Sequence, residues 1–244
     1  MKLARPDLFH PRIVLAGPGK DASPGKAGWP GQVRSGEDEG EDAGLVGALR
    51  RRGLQARWLP WDDPATEHAD LVIVRATGGY RQRLESFLAW TRRVSHLLNA
   101  PDVIAWNADE RYLGDLQRAG VPTGGAPEAC NPTALVFLCG GQSHAFAGDS
   151  PVEPDFELWD VGRAALAAAA DHLGIRTGAL LYARADVTGD PGEARLVSLD
   201  VIAPSLGWGL LDGGAREVGQ RQFALCVESA LERLGLGPFS HRRP

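Results

Sequence analysis

Lysine is nearly missing from this chain. Lys2, Lys20 and Lys26 are its three lysines, and the other 23 of its 26 basic residues are arginine. Beyond position 26, any anion must therefore be met by arginine, a planar fork with a permanent charge, and not by an ammonium point charge. Cysteine is also scarce. Cys130, Cys139 and Cys226 are odd in number, widely spaced and without a Cys-x-x-Cys pair. They fit buried thiols in a reducing cytoplasm better than a disulfide framework or a metal cluster. No run of about 18 apolar residues occurs, so no membrane span is expected. The first residues carry charge and proline where a signal peptide needs an unbroken apolar stretch. A cytoplasmic location is the expectation. No basic face is long enough to track phosphates. The net charge is −5, the pI is near 5.7, and Arg50-Arg51-Arg52 reads as the solvated end of a helix, so nucleic acid is excluded as a partner.

What is present is an ordinary globular composition, 43% hydrophobic and 23% charged over 244 residues. That is enough for one good core or two small ones sharing an interface. Arg12-Ile13-Val14-Leu15-Ala16 predicts a buried first strand, and residues 17–44, with the acidic block from Glu37 to Asp42, predict a long loop. A short helix over 44–52, a strand over 54–59 and the apolar run Leu71-Val72-Ile73-Val74 follow. Leu84, Phe87, Leu88, Val94 and Leu98 keep a helical period, Val103-Ile104-Ala105 reads as a brief strand, and Asn107 reads as the cap of a helix reaching Gly120. This alternation argues for a small parallel sheet covered on both faces. After a proline-rich linker, residues 134–139 and 143–147 predict a hairpin, 158–173 an Ala-rich helix, 179–187 and 195–202 an antiparallel pair, and 216–234 a closing helix.

The antiparallel pair carries the chemistry. Alternate residues of a strand share a face, so Arg184 points with Asp186 and Ser198 with Asp200. If Asp186 and Asp200 converge beside Arg184, they offer oxygen ligands for Mg²⁺ and a cation for the phosphates it accompanies. On spacing alone, a solvated charged face is the simpler explanation. Gly17-Pro18-Gly19-Lys20 and Pro24-Gly25-Lys26-Ala27 lack Walker spacing and the required hydroxyl. His144 is expected to be structural, Ser205 lacks a nucleophile elbow, and the tryptophans, Trp208 included, are expected to pack the core.

Several segments add a family to this reading. They are Asp70-Leu71-Val72-Ile73-Val74-Arg75, Tyr80, Phe87-Leu88-Ala89-Trp90, Trp106-Asn107-Ala108-Asp109-Glu110-Arg111-Tyr112-Leu113, Arg184-Ala185-Asp186 and Asp200-Val201-Ile202-Ala203-Pro204. Together they resemble the ATP-grasp superfamily, in the branch related to the cycloserine-pathway ligase, over residues 12–234. The resemblance implies an α/β fold: a Rossmann-like pre-ATP-grasp domain over 1–123, then a reduced ATP-grasp C-terminal α+β piece over 133–237. It implies acyl-phosphate chemistry, with Arg184 as the catalytic phosphate arginine. Arg75, Tyr80, Asn107 and Arg184 would then bind the cofactor, and Asp186 and Asp200 the metal.

The chain departs from that pattern. Glu110 stands where the family's helix-opening motif has a phosphate lysine. Thr123 is followed almost at once by Thr133, so nearly all of the ATP-gripping subdomain, with its second lysine, is missing. Ser198 and Ala203 replace expected carboxylates, and Gly78-Gly79 replaces a Trp-Asp. A GC-rich genome would exchange lysine for arginine, but not for glutamate. The expectation is a non-catalytic or weakly nucleotide-binding scaffold, with Mg²⁺ and ATP binding weak or absent. A homodimer or protein partner would cover the truncated face, and a small-molecule ligand is possible. The alternative is an active ATP-dependent carboxylate–amine ligase that uses arginines in place of lysines.

Overall fold

The computed structural model describes residues 10–18, 42–75, 80–124, 132–190 and 192–237. The three lysines, Cys130, Gly78-Gly79, Gly19-Lys20, the segment Pro24-Gly25-Lys26-Ala27 and most of the acidic block lie outside them. The first half builds a four-stranded parallel sheet in the order β2-β1-β3-β4, from β1 (Arg12–Gly17), β2 (Gln55–Pro60), β3 (Leu71–Val74) and β4 (Leu97–Leu98). The central strands β1 and β3 are apolar almost throughout because both of their faces are buried, while the edge strand β2 exposes Gln55 and Arg57. Ile13, Leu15, Leu71 and Ile73 point to one core, and Val14, Ala16, Val72 and Val74 to the other. Helix α1 (Leu45–Arg51) covers the first face. Helices α2 (Leu84–Arg93) and α3 (Pro101–Ala108) cover the second, where Trp61, Phe87 and Trp90 form an aromatic cluster.

After α4 (Tyr112–Arg118) the second half forms a five-stranded antiparallel sheet in the order β7-β6-β5-β8-β9. Its strands are β5 (Thr133–Leu138), β6 (Gly141–Ala147), β7 (Ser150–Val152), β8 (Tyr182–Thr188) and β9 (Arg195–Asp200). Helix α5 (Phe156–Leu173) packs on one face. Helix α6 (Gly213–Arg233) packs on the other and reaches α1 as well, so one core runs beneath both sheets. Trp208 lies wholly inside it. A Cβ on Gly219 would come within 2.5 Å of the Trp208 ring, so the α6 backbone must be bare at that point.

The fold corrects two readings. Val103-Ile104-Ala105 is helical: Pro101 opens α3 at its first turn, where a missing N–H costs nothing. The strand is instead Leu97–Leu98, which pairs with Val72 and Ile73 and so ends α2 at Arg93. Asn107 is accordingly no cap. It is buried near the end of α3, while Asp109 accepts from the Arg111 N–H ahead of α4. No helix of the described residues is long and apolar enough to cross a membrane.

Candidate functional site

A cleft of about 220 Å³ opens where the two sheets meet. From the first half it is lined by Tyr80, Arg81, Asn107 and Tyr112, and from the second by Arg184, Asp186, Ser198, Leu199 and Asp200. The pairing of β8 with β9 sets its floor. Arg184 lies across from Asp200 and Asp186 across from Ser198, all four on the partly buried face of the pair. The wall is stitched to this floor by amides. Asn107 donates to the Leu199 carbonyl at 2.8 Å and accepts from Val201 N–H at 3.0 Å. Asn99 accepts from Leu181 N–H and donates to the Tyr182 and Val201 carbonyls. The Leu199 N–H donates to the Tyr112 hydroxyl at 3.1 Å.

The charges inside the cleft are largely spent on each other. Arg184 Nε donates to Asp186 Oδ1 at 2.7 Å, and Ser198 Oγ donates to Asp186 Oδ2 at 2.7 Å. Asp200 Oδ1 accepts from the Ile202 and Ala203 N–H groups. Burial still pushes the Asp200 carboxyl above its ordinary range, against those bonds and the charge of Arg184. Burial also raises the Tyr80 and Tyr112 phenols, so both stay protonated donors at neutral pH.

Of the residues singled out in the sequence, Tyr80, Asn107, Arg184, Asp186 and Asp200 meet in this cleft, and Arg75 does not. Arg75 is buried, bound by Asp42 through Nε at 3.2 Å and Nη2 at 3.0 Å, by the Pro204 carbonyl at 3.1 Å, and stacked over the Tyr182 ring. Its charge is already matched by Asp42, 33 residues upstream, and it is not placed to grip a phosphate. Two lining residues escaped the sequence reading. Arg81 is two-thirds exposed, 3.9 Å from Glu110, and the arginine-rich run after Tyr80 was its one signal. Tyr112 followed Arg111 in a motif already noted, without a role.

Asp186 and Asp200 are too few for an all-protein Mg²⁺ site, whereas an ion shared with a ligand's phosphates would need only one or two carboxylates. Both Asp186 oxygens are engaged, and Asp200 Oδ2 is the one cleft carboxylate oxygen left without a hydrogen-bond partner among the described residues. No group of three His, Cys, Asp or Glu side chains that could hold a metal occurs among those residues either. His144 is a structural histidine: the Leu206 carbonyl can only accept, so Nε2 donates to it at 2.6 Å, Nδ1 faces Ser143 Oγ, and burial lowers the ring's pKa. A second groove beside Trp61 and Trp90 holds ion pairs closed on themselves, Arg83 with Asp62 and Arg93 with Glu67.

The architecture is that of known ligases. The crystal structure of D-cycloserine synthetase DcsG superposes with a TM-score of 0.65 over 77% of this chain and 93% of that one, at 22% identity. The chain has the ATP-grasp ligase fold. Residues 26–99 match the family model of the D-cycloserine synthetase DcsG N-terminal domain. The cycloserine biosynthesis protein DcsG of Streptomyces lavendulae is 34% identical over 83 residues, 32% of this chain. That match spans 28% of the relative's length. D-alanine–D-alanine ligase from Bacillus anthracis, solved with ATP, superposes at a TM-score of 0.56 with 10% identity, covering 92% of this chain and 98% of that one. Macrocyclase MdnC from Microcystis aeruginosa, solved with precursor peptide MdnA, gives 0.55 at 10% identity over 88% and 99%. Between Gly124 and Pro132 this ATP-grasp-fold chain has seven residues, too few for a nucleotide-gripping subdomain with strands of its own.

Proposed function

We propose that this chain is an ATP-grasp-fold binding protein that does not perform the ligase reaction, and whose cleft takes a small polar ligand. One observation carries the reading: the cations that would have to replace the missing lysines are already neutralised, Arg184 by Asp186 and Arg75 by Asp42. Phosphoryl transfer is catalysed almost wholly by positioned charge, and each lost donor costs about 10²–10³ in rate. The cleft volume of about 220 Å³ supports a small ligand, since pockets that bury drug-sized molecules run from about 300 to 1,000 Å³. ATP and Mg²⁺ therefore bind weakly if at all. Titration calorimetry with Mg-ATP is the test: millimolar or no affinity supports the reading, and micromolar affinity lost in Asp186→Asn overturns it.

As a scaffold the protein acts on a partner, a second copy or another protein. Four large apolar side chains are well exposed among the described residues: Phe156, Val218, Leu225 and Leu234. Val218 and Leu225, seven residues apart on α6, share one face and support an interface there. Light scattering that gives a monomer at micromolar concentration removes the homodimer from the reading. Arg81, two-thirds exposed beside Tyr80 and 3.9 Å from Glu110, favours the second reading of an arginine-dependent carboxylate–amine ligase. That enzyme would release ADP with an acid and an amine, and lose the activity in Arg81→Ala.

A further inference from the structure

Cys139 and Cys226 are far apart in sequence and adjacent in the fold. Cys139 sits at the turn between β5 and β6 with φ 50°, followed by Gly140 at φ 75°. That turn is pressed onto its neighbours. A Cβ on Gly140 would come within 3.0 Å of the Thr177 backbone, and one on Gly141 would lie 4.0 Å from Gln222 Nε2. Gln222 and Cys226 are four residues apart on α6 and share a face, so the turn rests on the side of the helix that carries Cys226. Both thiols are free. Cys139 is half-buried and packs against the core cluster that holds Cys226. Each thiol is the largest single influence on the ionisation of the other.

We propose that Cys139 and Cys226 form a redox-modifiable dithiol that a low-molecular-weight disulfide converts to a bridge between the β5–β6 turn and α6. The Cys139 thiolate attacks one sulfur of the small disulfide, breaking its S–S bond, forming a mixed disulfide and releasing one small thiolate. Cys226 then gives up its proton and attacks the Cys139 sulfur, releasing the second small thiol. The protein loses two electrons and two protons, and the small disulfide gains them. The order follows from the surroundings. Cys139 is partly exposed and so meets the small disulfide first, with Cys226 beside it and the charge of Arg233 favouring its thiolate, while Cys226 is buried and held protonated. A half-buried, stabilised thiolate beside a resolving thiol is the pattern of a redox-sensing pair. The bridge would join α6 to β5, the neighbour of the strand that bears Arg184 and Asp186.

The test uses the full chain with Cys130→Ser, incubated with oxidised glutathione and read by intact mass and non-reducing peptide mapping. The expected product has lost both thiols together, joins the Cys139 and Cys226 peptides, and retains no glutathione. Its melting temperature rises by roughly 5 °C, because the bridge restrains the unfolded chain. Cys226→Ser should stop with glutathione on Cys139, and Cys139→Ser should react about tenfold more slowly than Cys226→Ser. Mapping the unsubstituted chain should show the same bridge, so the result does not depend on any variant folding. Two free thiols after exposure, a mixed disulfide that persists with Cys226 present, or equal rates for the two variants would overturn the proposal.

Discussion

Arg184 and Asp186, two residues apart on β8, close on each other at 2.7 Å, so the cleft's central cation arrives already neutralised. A partly buried arginine in this state offers an incoming anion fewer donors and less net charge than its presence in the sequence suggests. In the function proposed above, that contact is what separates a binding cleft from a phosphate-transfer site.

Replacing Asp186 with Asn should therefore strengthen anion binding. Titration of inorganic phosphate is expected to show affinity rising by about three- to tenfold, roughly 1 kcal/mol of restored attraction. A metal-ligand role for Asp186 predicts the opposite sign with Mg-ATP.

The buried Arg75–Asp42 pair should be structural. Arg75→Met breaks a buried ion pair and is expected to cost about 3–5 kcal/mol in denaturant unfolding, with part of the loss recovered in Arg75→Met/Asp42→Leu. Arg75→Met should leave phosphate affinity at the cleft unchanged.

Asn107 holds β9 in place with two backbone hydrogen bonds. Asn107→Leu strands the Leu199 carbonyl and the Val201 N–H, and is expected to cost roughly 2–4 kcal/mol, read by chemical denaturation.

Asp200 gives stability a pH dependence of known sign. Burial raises its folded-state pKa above the usual 3.8, so the native state holds its proton longer than the unfolded chain does. Stability from this group is greatest below the unfolded value and declines as pH rises through the raised one. In Asp200→Asn that decline should vanish, which melting curves recorded from acid to neutral pH will show.

Much of the fold could be read directly because its signals are local. The fully apolar runs at Ile13 and Leu71 mark strands buried on both faces, and the alternation through Arg184, Asp186, Ser198 and Asp200 marks a shared face. Other features depend on partners that the sequence does not bring near. Val103-Ile104 is too short for periodicity to separate helix from strand, and Pro101 decides it. Arg75 looks like a phosphate ligand until Asp42, 33 residues earlier, is found against it. Arg81 has no pattern of its own and becomes a cleft residue only because the turn of helix after Tyr80 faces β9. Cys139 and Cys226 look like isolated thiols until the β5–β6 turn settles on α6.

ADP release under saturating Mg-ATP, with a panel of carboxylic acids and amines, tests the central claim most directly. The account predicts no release above the protein-free blank, and Arg184→Ala indistinguishable from the unsubstituted chain. Release at an ordinary enzymatic rate, about 1 s⁻¹ or faster, that disappears in Arg184→Ala would contradict it.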